Sequence, residues 1–259
     1  MPKLSEVKPD SRFFGMFIGR SSSGKSSAAI SFPKPMKIFD FDMRARGPKA
    51  YADSIGLDVS GVSTEVYLPS GGFKKINDEL EVLQMQFKNG RPYETIQFSS
   101  LGALLRILLS EARVLAGEGK TKKTGVLVRP GPNEYGYESE GIYQIFDYLR
   151  TFPCNVIIDA HIIDRFGKED SNDAYSETIV TGEKLAVRDK IGENLLVYFD
   201  EVYRFEKDQN GRDHYVNFHT DMARSAFNTL PRGQIKITGK NFYEMWQGFV
   251  TAASVKTGT

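Results

Sequence analysis

The sequence predicts an α/β fold: a mainly parallel sheet with helices on both faces and an antiparallel hairpin added at one edge. Three observations predict it. Apolar runs of strand length alternate with longer stretches whose apolar residues recur at helical spacing. The first apolar run ends in a glycine-rich turn, GRSSSGKS, which opens a helix. Late in the chain, an Asn-Gly turn separates two strand-like runs, as in a hairpin.

The elements follow in order. Residues 1–12 are polar and read as a flexible arm, 13–250 as a single domain, and 251–259 as a tail. Phe13 to Ile18 is short, apolar and aromatic-rich, which suits a buried strand. Ser27 to Ile30 reads as a helical turn or two, stopped before Pro33. Met36 to Asp42 is a second strand and Val62 to Leu68 a third. Ile76, Leu80, Leu83 and Phe87 share one helical face. Glu94 to Ser99 is strand-like, and Leu101 to Leu115 is a helix. Residues 117–137 are Gly- and Pro-rich with no period, so an irregular segment is expected there. A helix resumes over Ile142 to Phe152, and Asn155 to His161 is the clearest buried strand. Arg165 to Ser176 is polar and reads as a mobile loop. Leu195 to Glu206 and His214 to His219 flank the Asn210-Gly211 turn. Ile235 to Thr238 is a last strand, and Phe242 to Val250 a closing helix.

Composition narrows the function classes. The 259 residues carry 34 Lys+Arg against 33 Asp+Glu, a net charge of +1, so this is no globally basic nucleic-acid binder. A local basic loop stays compatible with that balance. The single cysteine, Cys154, cannot close an internal disulfide. No apolar run approaches the roughly 18–20 residues of a membrane span, and MPKLSEVKPDSR lacks a signal peptide's apolar core. A cytoplasmic protein with no membrane partner is expected.

The turn Gly19-Arg20-Ser21-Ser22-Ser23-Gly24-Lys25-Ser26 fits G-x-x-x-x-G-K-[ST] at every fixed position. Each position has a chemical reason. Gly19 and Gly24 let the backbone turn tightly and approach phosphate oxygens. Amides from Gly19 through Ser27 then point inward, and the helix start adds positive potential. Lys25 would neutralise the terminal phosphates, and the Ser26 hydroxyl would ligate Mg2+. ATP and Mg2+ are the expected cofactors.

A hydrolase of this kind also needs an acid near the metal and a group that orients the attacking water. Asp40 and Asp42 end the second strand on one face, where parallel sheets bind ligands. Asp42 is read as the water-activating carboxylate and Asp40 as a metal-shell group. The strand Thr95-Ile96-Gln97-Phe98-Ser99 carries Ser99 where an acid is expected, so slow hydrolysis or compensation by Asp40 is anticipated. Asp159 lies inside its strand and reads as a structural hydrogen-bonding residue. His161 follows that strand, where it can sense the terminal phosphate. His214 and His219 read as ordinary strand residues, and no zinc-ligand spacing occurs.

Together, GRSSSGKS, IFDFD, TIQFSSL and NVIIDAH, followed by DEVYRF and ARSAFNTLP, resemble the RecA-like P-loop ATPases of bacteriophages. These nucleotide-binding proteins include single-strand annealing recombinases. The resemblance runs from about residue 13 to about 240. It implies a RecA-like ATPase core acting on single-stranded DNA in phage recombination or replication, self-associating as a ring or filament, in the host cytoplasm. It places Lys25 and Ser26 at the ATP and Mg2+ positions, Asp42 at a glutamate position and His161 at a sensor position. Arg224 falls near a basic position that reaches a neighbour's nucleotide.

DNA would meet the loops after the central strands. Lys120, Lys122, Lys123 and Arg129 outnumber the acids between residues 117 and 137, and Tyr135 and Tyr137 follow. Cations meet phosphates while rings stack on bases. A solvated insertion would show the same lysines. Two other readings remain: a nucleotide-gated binding module with little hydrolysis, motivated by Ser99, and a small-molecule phosphotransferase, motivated by Arg44 and Arg46.

Overall fold

The computed structural model describes residues 12–44, 46–115, 130–168, 178–217, 229–231 and 233–257. At its centre is β1 (Phe14–Gly19), buried at every residue. An unbroken apolar run of this kind needs cover on both faces. β1 pairs in parallel with β5 (Asn155–Lys168) on one side and β7 (Glu201–Lys207) on the other. Beyond β5 come β4 (Thr95–Ser99), β2 (Met36–Asp40) and β3 (Val62–Val66), all parallel. Beyond β7, β8 (His214–Asn217) and β9 (Ile235–Lys236) are antiparallel. Among the described residues, the sheet has nine strands in the order β3-β2-β4-β5-β1-β7-β8-β9, with β6 (Thr178–Leu185) paired antiparallel to the far half of β5. This is the predicted fold class, a mainly parallel α/β sheet with an added hairpin.

Alternation sorts the sheet into two faces. Met16, Ile18, Phe98 and Ile158 pack under α3 (Gly72–Asn89), α4 (Leu101–Leu115) and α5 (Pro132–Thr151). Phe13, Phe17, Ile157 and Tyr203 face α1 (Lys25–Ala29), α2 (Arg46–Ser54) and α7 (Phe242–Thr257), where Phe32, Phe242 and Trp246 meet them. On the α1 face, β4 also presents Thr95, Gln97 and Ser99, and β5 presents Asn155, Asp159 and His161. Polar groups in so buried a place need partners or a function.

Four sequence expectations differ from the structure. The strand expected to end at His161 continues to Lys168 and pairs with β6, so part of the expected 165–176 loop is hairpin. Ile163, Phe166, Ile179 and Val180 on it are exposed; beyond the buried pair Ile162 and Leu185 at its base, it has no sustained period-two pattern to read. The stretch 117–137 is not irregular to its end: α5 begins at Pro132, and Glu134 Oε2 accepts the Gly131 amide at 2.8 Å. Proline here starts a helix, where its missing N–H costs nothing. Leu195 closes α6 (Asp189–Leu195), followed by a 3-10 turn at Leu196–Tyr198, and is not the first residue of a strand. Ile191 and Leu195, four apart, are buried together, which is a helical spacing. Finally, α7 runs on to Thr257, past the expected stop at Val250.

Glu201 ties the far edge to the centre. Its buried carboxylate accepts hydrogen bonds from the Tyr203 hydroxyl, the Thr229 amide and hydroxyl, and Trp246 Nε1. Burial raises its pKa, and those donors pull it back down. Among the described residues, no helix is long and apolar enough to cross a membrane. Glu201→Ala leaves these donors unpaired and is expected to cost about 2–3 kcal/mol, read as a lower urea midpoint at unchanged slope.

Candidate functional site

The loop between β1 and α1 turns where glycine alone fits. At Gly19, a Cβ would lie 2.4 Å from Phe205 O and 2.6 Å from Ser23 Oγ. Gly24 has φ +99, a left-handed conformation costly for other residues, and hands the chain directly to α1. The loop wraps the side chain of Lys25, which is only 5% exposed. Its Nζ donates to Gly19 O at 2.8 Å, Arg20 O at 2.9 Å and Ser23 Oγ at 3.4 Å. Burial lowers its pKa to about 8, with Asp159 opposing that shift and Arg44 adding to it.

A cleft of about 340 Å³ opens over this loop at the C-terminal ends of the strands. Ser21 to Ser27 line it along one side, and Asp42, Ser99, Ser100, Asp159 and His161 along another. Chain order explains the place. β4 and β5 are inserted between β1 and its successor β2, and ligands in open α/β sheets bind at such crevices. Gly19 is the register partner of His161, and Ser99 that of Asp159.

Asp42 is held for work at the mouth. Its Oδ2 accepts the Ser100 hydroxyl at 2.6 Å, and Arg106 lies 3.4 Å from Oδ1. His161 Nε2 stands 3.9 Å from Asp42 Oδ2. Burial and the nearby Lys25 lower the His161 pKa more than Asp42 raises it, which favours the neutral ring. Asp159, deeper in, accepts Gln97 Nε2 at 2.7 Å and the Ser26 hydroxyl at 3.2 Å, both on Oδ2. Burial raises its pKa, with Lys25 the foremost of the groups pulling it down.

The structure brings Ser21 to Ser27, Asp42 and His161 together around one cleft. Gly19 and Arg20 contribute carbonyls to Lys25 but do not line the cleft. The Arg20 side chain turns away to Asp164 and Glu183 on the β5–β6 hairpin. Asp40 is not among the lining residues either; its Oδ1 accepts the amides of Asp42 and Arg44, at 3.1 and 3.3 Å, and so caps the turn after β2. Lys120, Lys122, Lys123, Arg129 and Arg224 lie outside the described residues. Tyr135 and Tyr137 have intramolecular partners: the Arg188 guanidinium lies 4.2 Å from the Tyr135 ring centroid, and Tyr137 meets Phe73 edge-on.

Sequence reading missed Ser100, Lys207 and His214 at the cleft, and it undervalued Asp159. His214 Nδ1 lies 3.1 Å from Ser23 O, a contact made across 191 residues of sequence. For β4 a signal existed: Thr95, Gln97 and Ser99 are polar at every second position of a buried strand.

No group of three or more His, Cys, Asp or Glu residues that could hold a metal occurs among the described residues. A phosphate-bound magnesium needs few protein ligands, because phosphates and waters fill most of its shell. Asp159 Oδ1 and Gln97 Oε1 are buried without a hydrogen-bond partner among the described residues. Asp159 lines the cleft beside the Ser26 hydroxyl and suits the waters of a hydrated cation, so the residues present fit magnesium.

The family model of the AAA domain matches residues 14–228, most of the chain. No curated protein matches it. The matched span contains β1, the phosphate-binding loop, and the cleft residues of β4 and β5. The chain belongs to the AAA domain family and is a nucleotide-binding P-loop NTPase of the AAA type.

Proposed function

We propose that this protein is an ATP-binding and ATP-hydrolysing RecA-like enzyme acting on single-stranded DNA, as in phage recombination or replication. One observation carries the catalytic part: a buried Lys25 ammonium held by the carbonyls of the glycine-rich loop, with Asp42 and His161 across the cleft that the loop lines. The loop amides and Lys25 bind the triphosphate and hold it in line. Ser26 would hold magnesium, which supplies charge neutralisation when bound. Asp42, steadied by Ser100 and Arg106, orients the attacking water and accepts its proton. His161 lies beside Asp42 and reports the terminal phosphate to the hairpin that continues from it.

DNA is supported by the basic segment from Lys120 to Arg129 and by the resemblance of the strand-end motifs. A wider groove of about 760 Å³ adjoins the nucleotide cleft and shares Asp42, Arg44, Ser100 and His161 with it. A strand lying there would touch the residues that govern hydrolysis. Assembly into a ring or filament, with Arg224 reaching a neighbour's nucleotide, belongs to the same reading. Ser99 favours a second reading, a nucleotide-gated binding module with little hydrolysis. Phosphate release separates the two: brisk turnover excludes the second, and tight binding without turnover excludes the first.

Three measurements test this reading. Triphosphate binding raises the lysine pKa from about 8, so binding takes up a proton where the free site is partly neutral. Calorimetry in buffers of different ionisation enthalpy is expected to show uptake of about 0.5 proton at pH 8, little at pH 7, and no binding by Lys25→Ala. Affinity therefore falls as pH rises through 8. Asp42→Asn is expected to lower turnover by about 10²–10⁴-fold with ATP affinity nearly unchanged, read by phosphate release beside calorimetry. Single-stranded oligonucleotide is expected to stimulate turnover at low salt. That stimulation should fade with added salt and in the Lys122→Ala, Lys123→Ala variant; stimulation indifferent to both would remove DNA from the proposal.

A further inference from the structure

We infer that the carboxylate anchoring the hydrated magnesium has moved one strand over in this protein, from the Ser99 position on β4 to Asp159 on β5. The inference rests on the nucleotide reading and assigns a residue within that site.

P-loop NTPases hold magnesium between the loop Ser/Thr and an acid at a nearby strand end. Here β4 ends in a neutral hydroxyl, and Asp40 is committed to backbone amides. Asp159 is the register partner of Ser99, so the two side chains project side by side from adjacent strands. Strands in a sheet lie about 4.8 Å apart. A carboxylate exchanged across that gap reaches the same hydrated ion with a small shift.

The local geometry suits this exchange. Asp159 is 2% exposed. Its Oδ2 already accepts the hydroxyl of Ser26, the other magnesium residue, at 3.2 Å. Its Oδ1 has no hydrogen-bond partner among the described residues, and neither has Gln97 Oε1 beside it. Leaving a buried acceptor unmade is costly, by about 1–3 kcal/mol and more for a charged group. Magnesium-bound waters are strong donors and would satisfy Oδ1 of Asp159, which lines the cleft. Gln97 and Ser26 serve Oδ2, and the Ser99 hydroxyl on the neighbouring strand also stabilises the carboxylate, while Oδ1 keeps room for a metal-bound water.

The test compares ATP affinity with magnesium and with EDTA, by calorimetry, alongside Mn2+ spin resonance of the ADP complex. Wild-type protein is expected to bind ATP at least 10-fold tighter with metal and to broaden the Mn2+ signal. Asp159→Asn keeps the acceptor for Ser26 and Gln97. It should lose about 10–100-fold in metal affinity while binding metal-free ATP as before. The exchange Ser99→Asp with Asp159→Ser should restore the metal dependence that Asp159→Ser alone lacks. An undiminished metal effect in Asp159→Asn, or an equal loss with and without metal, overturns the inference. Wild-type protein that binds ATP with no metal preference also overturns it and leaves nucleotide binding standing. Wild-type protein that binds no triphosphate at all overturns the nucleotide reading and this assignment with it.

Discussion

The buried ammonium of Lys25 is the constraint from which the rest of the site follows. A charge in so dry a place is unfavourable unless its protons are taken up. Two backbone carbonyls of the loop, at Gly19 and Arg20, take them, with Ser23 Oγ a longer third contact. Carbonyls can converge in this way only if the chain doubles back at Gly19 and enters α1 in a left-handed step at Gly24. The loop therefore folds around its own lysine before any ligand is considered.

That loop hangs from β1, and β1 has no freedom to shift. β5 and β7 flank it, and aromatic rings from α7 and from the turn after α1 cover one face. Parallel pairing then sets every other site residue by register. His161 sits opposite Gly19, and Asp159 opposite both Phe17 and Ser99. Asp42 is placed differently, beyond the end of its strand, by the turn that Asp40 caps and by Ser100 from the next strand. The catalytic candidates thus ride on three strands whose relative heights are fixed by one hydrogen-bond ladder.

The hairpin of β5 and β6 is in direct contact with the loop, and its far end lies outside the core. It grows from the strand that carries Asp159 and His161. Arg20 of the loop pairs with Asp164 and Glu183 on it, and Arg204 of β7 reaches Glu183 as well. The pairs made by the exposed Arg20 contribute little stability. They do tie two neighbouring pieces of the site together, and the hairpin's exposed Ile163, Phe166 and Val180 extend away from it.

Much of this was legible in the chain. The eight residues of the loop, the central strands and the Asn-Gly hairpin follow from local rules, because turn chemistry and apolar period are properties of neighbours in sequence. Asp42 and His161 could be named because strand ends in parallel sheets are where ligands go. The polar alternation of Thr95, Gln97 and Ser99 was visible too, but its meaning was not. Which acid faces Ser26 depends on which strands are neighbours and in what register, and Asp159 stands 133 residues from Ser26 in sequence. Likewise, nothing local to Asp40 says that it caps a turn, and nothing local to His214 brings it to the loop. Sequence by itself determined the phosphate-binding loop and the class of fold. Only the tertiary structure decided which carboxylates stand at the cleft, because that choice is made by long-range pairing between strands.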